Sequence, residues 1–208
     1  MKEFNYKTSQ ETFWASEFGD EYISRNKSPE LLASKMAMFS KILQKTDGVA
    51  SVVEFGCSIG LNLDAISMLI PTVDLKAIEI NPIAAEIAKN RMPQAEIVKG
   101  SILEHTFENA SDLAFTCGVM IHLNPEMLPE VYRKLANASR KYVLIVEYYN
   151  PSPVTIQYRG HEDYLFKRDF AGEFMEAHPE YQLVDYAFVY RKDLVFPLDD
   201  VTWFLLKK

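Results

Sequence analysis

The sequence predicts an α/β fold, a mostly parallel sheet with helices packed on it, and three observations carry that expectation. Short apolar runs alternate with segments of helical hydrophobic period along most of the chain. Residues suited to capping helices stand at the junctions, as in Ser28-Pro29 and Asn81-Pro82. A strand, a glycine-containing turn, a helix and a second strand follow one another over residues 51–80, the length of one βαβ unit.

With 208 residues, 48% hydrophobic and 25% charged, the chain can bury a core and is most economically one domain over 1–208. Apolar runs such as YVLIVEYY fall far short of the roughly 20 residues that cross a bilayer. The start, MKEFNYKTSQ, lacks the apolar centre of a signal peptide. Cys57 and Cys117 have neither metal-ligand spacing nor the density of a disulfide scaffold. The expectation is a cytoplasmic protein with reduced thiols, no membrane partner and no metal. A net charge of −7 and a pI near 5.2 argue against a surface that coats nucleic acid, so small molecules are the expected partners. Nothing in the sequence sets the oligomeric state.

Residues 1–47 are expected to form an N-terminal helical cap and the first core helix. Trp14, Phe18, Tyr22 and Arg25 stand at i, i+4, i+8 and i+11, one face of a helix if Gly19 is tolerated within it. That stripe either packs on the domain or covers a pocket, in which case Tyr22 and Arg25 present an aromatic ring and a fixed cation to a ligand. Ser28 and Pro29 then start a helix with Leu32, Met36, Phe39 and Leu43 on one face, ending near Thr46 to Gly48. SVVEF (51–55) is a buried strand, 60–70 a helix and DLKAIEI (74–80) a second strand. Asn81-Pro82 caps the next helix, AEIVKG makes a third strand and DLAFTCG (112–118) a fourth. Pro125 opens another helix, KYVLIVEYY (141–149) is a fifth strand, and LVDYAFVY and VTWFLLKK close the chain as an antiparallel pair. The one long irregular connection, 150–168, follows the fifth strand and is read as an acceptor-side insertion.

VVEFGCSIGLN places Glu54 at a strand end, then Gly56, then Gly60 where a helix begins. Glycines allow φ > 0 and a close backbone approach to a ligand, and a helix start offers free N–H groups. Glu79 ends the next strand, 25 residues beyond Glu54, where a carboxylate can hold both hydroxyls of a ribose. A dinucleotide fingerprint needs G-x-G-x-x-G, which this spacing does not supply. The turn instead resembles the E/D-x-G-x-G-x-G loop of class I S-adenosylmethionine (SAM) methyltransferases, with Ser58 at the middle glycine serving turn geometry. That resemblance implies SAM as cofactor, with Gly56, Cys57 and Gly60 along its amino acid part, Glu79 on the ribose and Ile80 on the adenine. After the third strand, where the family has an acidic residue at the adenine, this sequence has Ser101, expected to make one hydrogen bond, and Ile102, expected to close an apolar slot. Cys117 and Gly118 match the segment that meets the methionine moiety, and Arg25 is a candidate partner of its carboxylate.

Methyl transfer is an in-line displacement at a sulfonium carbon, so the protein must align the acceptor and exclude water. A hydroxyl acceptor also needs a base, whereas a neutral amine needs little help. His122, after the fourth strand, is either such a base or a structural histidine. YRGHEDYLFKRDF (158–170) is either a solvated face or the acceptor wall. On the second reading His161 and Tyr149 join His122 as catalytic candidates, with Asn150, Tyr158, Arg159, Lys167 and Arg168 binding the acceptor.

FWASEFGDEYISRN, EFGCSIGLN, EYYNPSP, YRGHEDYLFKRDFAGE and FPLDDVTWFLL together resemble the methylases associated with bacterial pseudaminic acid biosynthesis, over nearly the whole chain. The resemblance implies a Rossmann-like methyltransferase fold, a seven-stranded mixed sheet with helices on both faces, its last strand antiparallel. It also implies a sugar or sugar-nucleotide acceptor of surface-glycan synthesis. Other uses of a SAM site stay open here: cyclisation or cleavage of SAM, which releases methylthioadenosine, and binding without turnover.

Overall fold

The structure is a computed structural model that describes residues 6–208; positions 1–5 of the expected cap lie outside the described residues. Five parallel strands form the core: β1 (Ser51–Phe55), β2 (Asp74–Glu79), β3 (Glu96–Lys99), β4 (Ser111–Cys117) and β5 (Ser139–Glu147). Two short strands, β6 (Val154–Thr155) and β7 (Phe166–Lys167), pair with each other apart from the sheet. β8 (Gln182–Val189) and β9 (Val201–Lys207) complete a seven-stranded sheet in the order β3-β2-β1-β4-β5-β9-β8, with β9 antiparallel to both neighbours.

All five residues of β1 are buried because helices cover both faces of the sheet centre. On one face lie α3 (Pro29–Leu43), α4 (Leu61–Leu69) and α5 (Pro82–Arg91), through Phe39, Ile42, Leu63, Ile66 and Ala88. On the other lie α6 (Leu128–Ala138) and α7 (Phe170–Ala177), through Val131, Leu135, Phe170 and Phe174. The expected caps form: the Ser28 hydroxyl accepts from the Leu31 N–H at 3.2 Å, and Asn81 Oδ1 accepts from the N–H groups of Ile83 and Ala84 at 3.0 and 2.9 Å. Among the described residues no helix is long and apolar enough to cross a membrane.

Three departures from the sequence expectations bear on the site. First, the N-terminal stripe is not one helix but two, α1 (Ser9–Trp14) and α2 (Glu17–Arg25), because the chain turns at Ala15 and Ser16. A Cβ on Gly19 would lie 2.1 Å from the Trp14 carbonyl oxygen, so this glycine lets the second helix fold back on the first. Second, β5 begins and ends two residues earlier than expected, which leaves Tyr148 and Tyr149 beyond its last residue, Glu147. Third, the 150–168 connection is not irregular throughout. β6 and β7 lead into a tight turn in which Tyr158 and His161 exchange backbone hydrogen bonds of 2.8 and 2.9 Å. α7 follows directly, capped by Asp169, whose carboxylate accepts from the Gly172 N–H at 2.8 Å.

Candidate active site

The turn after β1 is held open by its backbone. Gly56, Ser58 and Gly60 all take left-handed φ, at 81°, 48° and 81°. The N–H groups of Gly56 and Cys57 donate to the Ile78 carbonyl, 2.8 and 3.3 Å away. A Cβ on Gly56 would stand 2.6 Å from a Val119 methyl group, so only glycine fits where this turn meets the segment after β4. Gly60 begins α4. Glu79, at the end of β2, fastens the turn: one carboxylate oxygen accepts from the Ser58 N–H at 2.7 Å and the other from the Asn81 N–H at 2.8 Å. Burial pushes its carboxyl up from the usual range, and these backbone donors oppose the push.

Two cavities, of about 310 and 120 Å³, flank this turn. Tyr22, Gly56, Ser58, Cys117, Gly118 and His122 line both. The smaller cavity adds Glu11, Trp14, Glu79, Ile80 and Ile102, an apolar slot with carboxylates at its edge. The larger adds Lys35, Asn62, Tyr148, Tyr158, Arg191 and Asp199, a polar and aromatic wall. Between them the rings are close-packed: Trp14 lies 4.6 Å from His122 and 5.4 Å from Tyr22, and His122 lies 4.8 Å from Tyr158, centroid to centroid. Such π faces suit a cation at the junction of the cavities. Trp14 lines the smaller cavity, and its Nε1 is buried without a hydrogen-bond partner among the described residues.

His122 is 8% exposed, and its Nδ1 lies 2.6 Å from the Tyr164 carbonyl oxygen. A carbonyl only accepts, so Nδ1 carries the hydrogen and Nε2 keeps its lone pair. Burial lowers the His122 pKa to about 4 against the opposing pull of that carbonyl, so the ring is neutral at pH 7. The two thiols are poor nucleophiles: burial pushes Cys57 well up and Cys117 to about 11.

Two buried carboxyls shape the site from behind. Glu54 accepts from Asn62 Nδ2 at 2.5 Å, and Asn62 in turn accepts from Lys35 Nζ at 2.6 Å, which points a chain of polar groups at the larger cavity. Burial pushes Glu54 up to about 8. Glu147, the last residue of β5, accepts from the N–H groups of Val119, Met120 and Ile121 at 3.0, 3.1 and 3.3 Å. It thereby fixes the segment from Gly118 to His122. Burial raises it to about 7 against those donors.

Both shifts predict a pH dependence of stability. A carboxyl whose folded pKa exceeds its unfolded value favours the folded state while protonated, and that contribution is lost as pH rises through the folded pKa. His122 works in the opposite sense, but its depressed value leaves only a small gain above pH 6.5. Between pH 6.5 and 8 the net expectation is a loss of about 2 kcal/mol, measured by urea unfolding, and Glu54→Gln should remove most of the slope.

Of the residues singled out from sequence, Tyr22, Gly56, Cys57, Glu79, Ile80, Ile102, Cys117, Gly118, His122 and Tyr158 line one or both cavities. Glu54 and Gly60 support the turn from outside them. Ser101 is buried, but its hydroxyl donates to Glu11 and accepts from the Leu103 N–H at 2.9 Å, so its proton is already committed. Arg25 lines neither cavity: it lies 5.7 Å over the Phe18 ring and 3.5 Å from Glu21 on the exposed side of α2. The cations that line the larger cavity are Lys35 and Arg191.

The insertion is corrected most. Tyr149 is 43% exposed and packs on Phe204, because successive residues of an extended chain point to opposite sides; its neighbour Tyr148 faces the cavity. His161 is exposed and meets Phe13 and Phe18 edge-on, at 5.0 and 5.8 Å between ring centroids, outside both cavities. Asn150 bonds to the Ser152 carbonyl, Arg159 lies over Tyr158, and Arg168 pairs with Glu173 at 2.7 Å. Lys167 sits 5.1 Å over the Tyr148 ring, outside both cavities. The charged run is therefore mainly a solvated face, and Tyr158 is the part of it that reaches the site.

Glu11, Lys35 and Tyr148 line the cavities and Glu147 anchors the segment after β4, none of them singled out by the sequence. Glu147 had a readable signal, an acidic residue ending an apolar strand as Glu54 and Glu79 do. Trp14 stood in the N-terminal stripe. Lys35 and Glu11 depend on contacts between distant segments and left no local trace.

Residues 52–141 match the family model described as a methyltransferase domain. No curated protein sequence matches the chain. Among solved structures, the chain resembles the mitomycin 7-O-methyltransferase MmcR, with 14% identity, TM-score 0.68, and coverage of 97% of this chain and 61% of that one. The magnesium protoporphyrin IX methyltransferase of Synechocystis PCC 6803, solved with bound SAM, has 10% identity, TM-score 0.68, and coverage of 98% and 99%. An amino pentose methyltransferase of calicheamicin biosynthesis from Micromonospora echinaspora, also solved with SAM, has 12% identity, TM-score 0.62, and coverage of 92% and 96%. The stretch 52–141, which matches that family model, carries the glycine turn, Glu79, Ser101 and Cys117, and the chain as a whole has the Rossmann-like fold of SAM-dependent methyltransferases.

Proposed function

We propose that the protein is a SAM-dependent methyltransferase of a small polar acceptor, a sugar or sugar nucleotide of nonulosonic (pseudaminic) acid or related surface-glycan synthesis, acting in the cytoplasm as one domain. The observation that carries the reading is the pair of cavities sharing Tyr22, Gly56, Cys117, Gly118 and His122, one fit for a nucleoside and the other polar and aromatic. The left-handed turn, whose Gly56 admits no Cβ, and the apolar slot of Trp14, Ile80 and Ile102 fit a nucleoside held close to backbone. For the acceptor class, the support is the sequence resemblance and the hydroxyl- and charge-bearing wall of Tyr148, Tyr158, Arg191 and Asp199. An amino pentose substrate is named for one enzyme of this fold.

When bound, SAM supplies a methyl group already activated on a sulfonium sulfur. The chain's own residues bind, orient and exclude water. Glu79 holds the nucleoside end, the turn that starts at Gly56 runs along the amino acid part, and Lys35 offers a cation to its carboxylate. Trp14, Tyr22, Tyr158 and His122 surround the junction with ring faces that tolerate positive charge. His122 Nε2 accepts the hydrogen bond of the acceptor and orients its lone pair; its neutral state at pH 7 keeps that function available.

Two measurements test this. His122→Ala should lower turnover by about 10²-fold while leaving SAM affinity within about threefold, whereas His161→Ala should stay within twofold on both. A panel of sugar nucleotides and free nonulosonic acids, assayed for S-adenosylhomocysteine release, should contain an acceptor. Release with acceptors of another class and with none of these would sink the sugar reading.

A further inference from the structure

We infer that Glu11, on the N-terminal cap, is the residue that reads the base of the nucleoside and selects adenine over hypoxanthine. The inference rests on the SAM reading above and extends it to a residue outside the matched segment. Glu11 is 3% exposed and lines the smaller cavity together with Ile80, Ile102 and Glu79. Its two oxygens are not equally used. One, Oε2, accepts from the N–H groups of Lys7 and Thr8, at 2.7 and 3.1 Å, as half of the capping box that starts α1. The other, Oε1, accepts from the Ser101 hydroxyl alone among the described residues, and a carboxylate oxygen has room for a second donor.

Ser101 is not placed for that role: it lines neither cavity, its single proton goes to Glu11 and its oxygen accepts from Leu103 N–H, whereas Glu11 lines the smaller cavity. The amino group at position 6 of adenine is a donor and needs an acceptor; the oxygen at position 6 of hypoxanthine is an acceptor and would face a carboxylate oxygen. The short segment after β3 thus holds, through Ser101, a carboxylate delivered by a segment 90 residues away in sequence.

The test compares calorimetric affinities for S-adenosylhomocysteine and S-inosylhomocysteine. Wild-type protein should prefer the adenosine compound by at least roughly thirtyfold, because the wrong base leaves a buried acceptor facing an acceptor. Glu11→Gln keeps the capping box, since glutamine serves it equally, but turns an amide N–H₂ toward Ser101 and the base. That variant should lose affinity for the adenosine compound, gain it for the inosine compound, and bring the ratio below about fivefold. A wild-type ratio below threefold, which needs no variant to fold, would overturn the inference, as would an unchanged ratio in a folded Glu11→Gln protein. Failure to bind S-adenosylhomocysteine at all would instead overturn the SAM reading and this inference with it.

Discussion

Glu79→Ala is expected to weaken SAM binding by about 2–4 kcal/mol, roughly 30- to 1000-fold, as measured by calorimetry. The carboxylate holds the turn as well as facing the nucleoside slot. Without it the N–H groups of Ser58 and Asn81 lose their acceptors, and the left-handed stretch from Gly56 to Gly60 loses the tie to β2 that runs through a side chain. Asn81 also caps α5 and donates to the Trp14 carbonyl at 3.2 Å and to Asp20 at 2.8 Å, so loosening it disturbs the cap over the same cavity. Glu79→Gln keeps one acceptor oxygen and should lose less. Unchanged affinity in Glu79→Ala would remove this residue from the cofactor site.

Glu147→Ala should destabilise the fold by about 3–5 kcal/mol, seen as a lowered urea midpoint, because three buried backbone N–H groups lose one shared acceptor and a cavity replaces the side chain. The loss should extend to function. Those N–H groups belong to the segment that places Gly118 beside the turn and His122 at the junction of the cavities. Glu147→Gln retains one acceptor oxygen, so its midpoint and turnover should fall between wild type and Glu147→Ala. Turnover intact in Glu147→Ala at low urea would show that this segment needs no such anchor.

The parts of the molecule legible in the sequence were those specified locally. SVVEF was bounded to the residue, since a buried strand between a polar loop and a glycine turn has little freedom to slide. Ser28-Pro29 and Asn81-Pro82 announced their helices because capping is a matter of three or four residues. The cavity-lining positions Glu79, Cys117 and Gly118 follow from the same locality, since strand ends place them on one edge of a parallel sheet. The acceptor side was poorly legible for the opposite reason. A two-residue shift in where β5 ends and the alternation beyond it exchanged Tyr149 for Tyr148, and a tight turn at Arg159 and Gly160 sent the charged run outward. Glu11 and Lys35 reach the site through tertiary contacts that no window of sequence contains.

Methyl transfer is tested by mass spectrometry of purified protein incubated with methyl-labelled SAM and a protein-free extract of small metabolites. The expected result is one labelled polar metabolite, carrying sugar hydroxyls or amines, and an equal amount of S-adenosylhomocysteine. Methylthioadenosine in place of S-adenosylhomocysteine, or S-adenosylmethionine bound but never consumed, would contradict it.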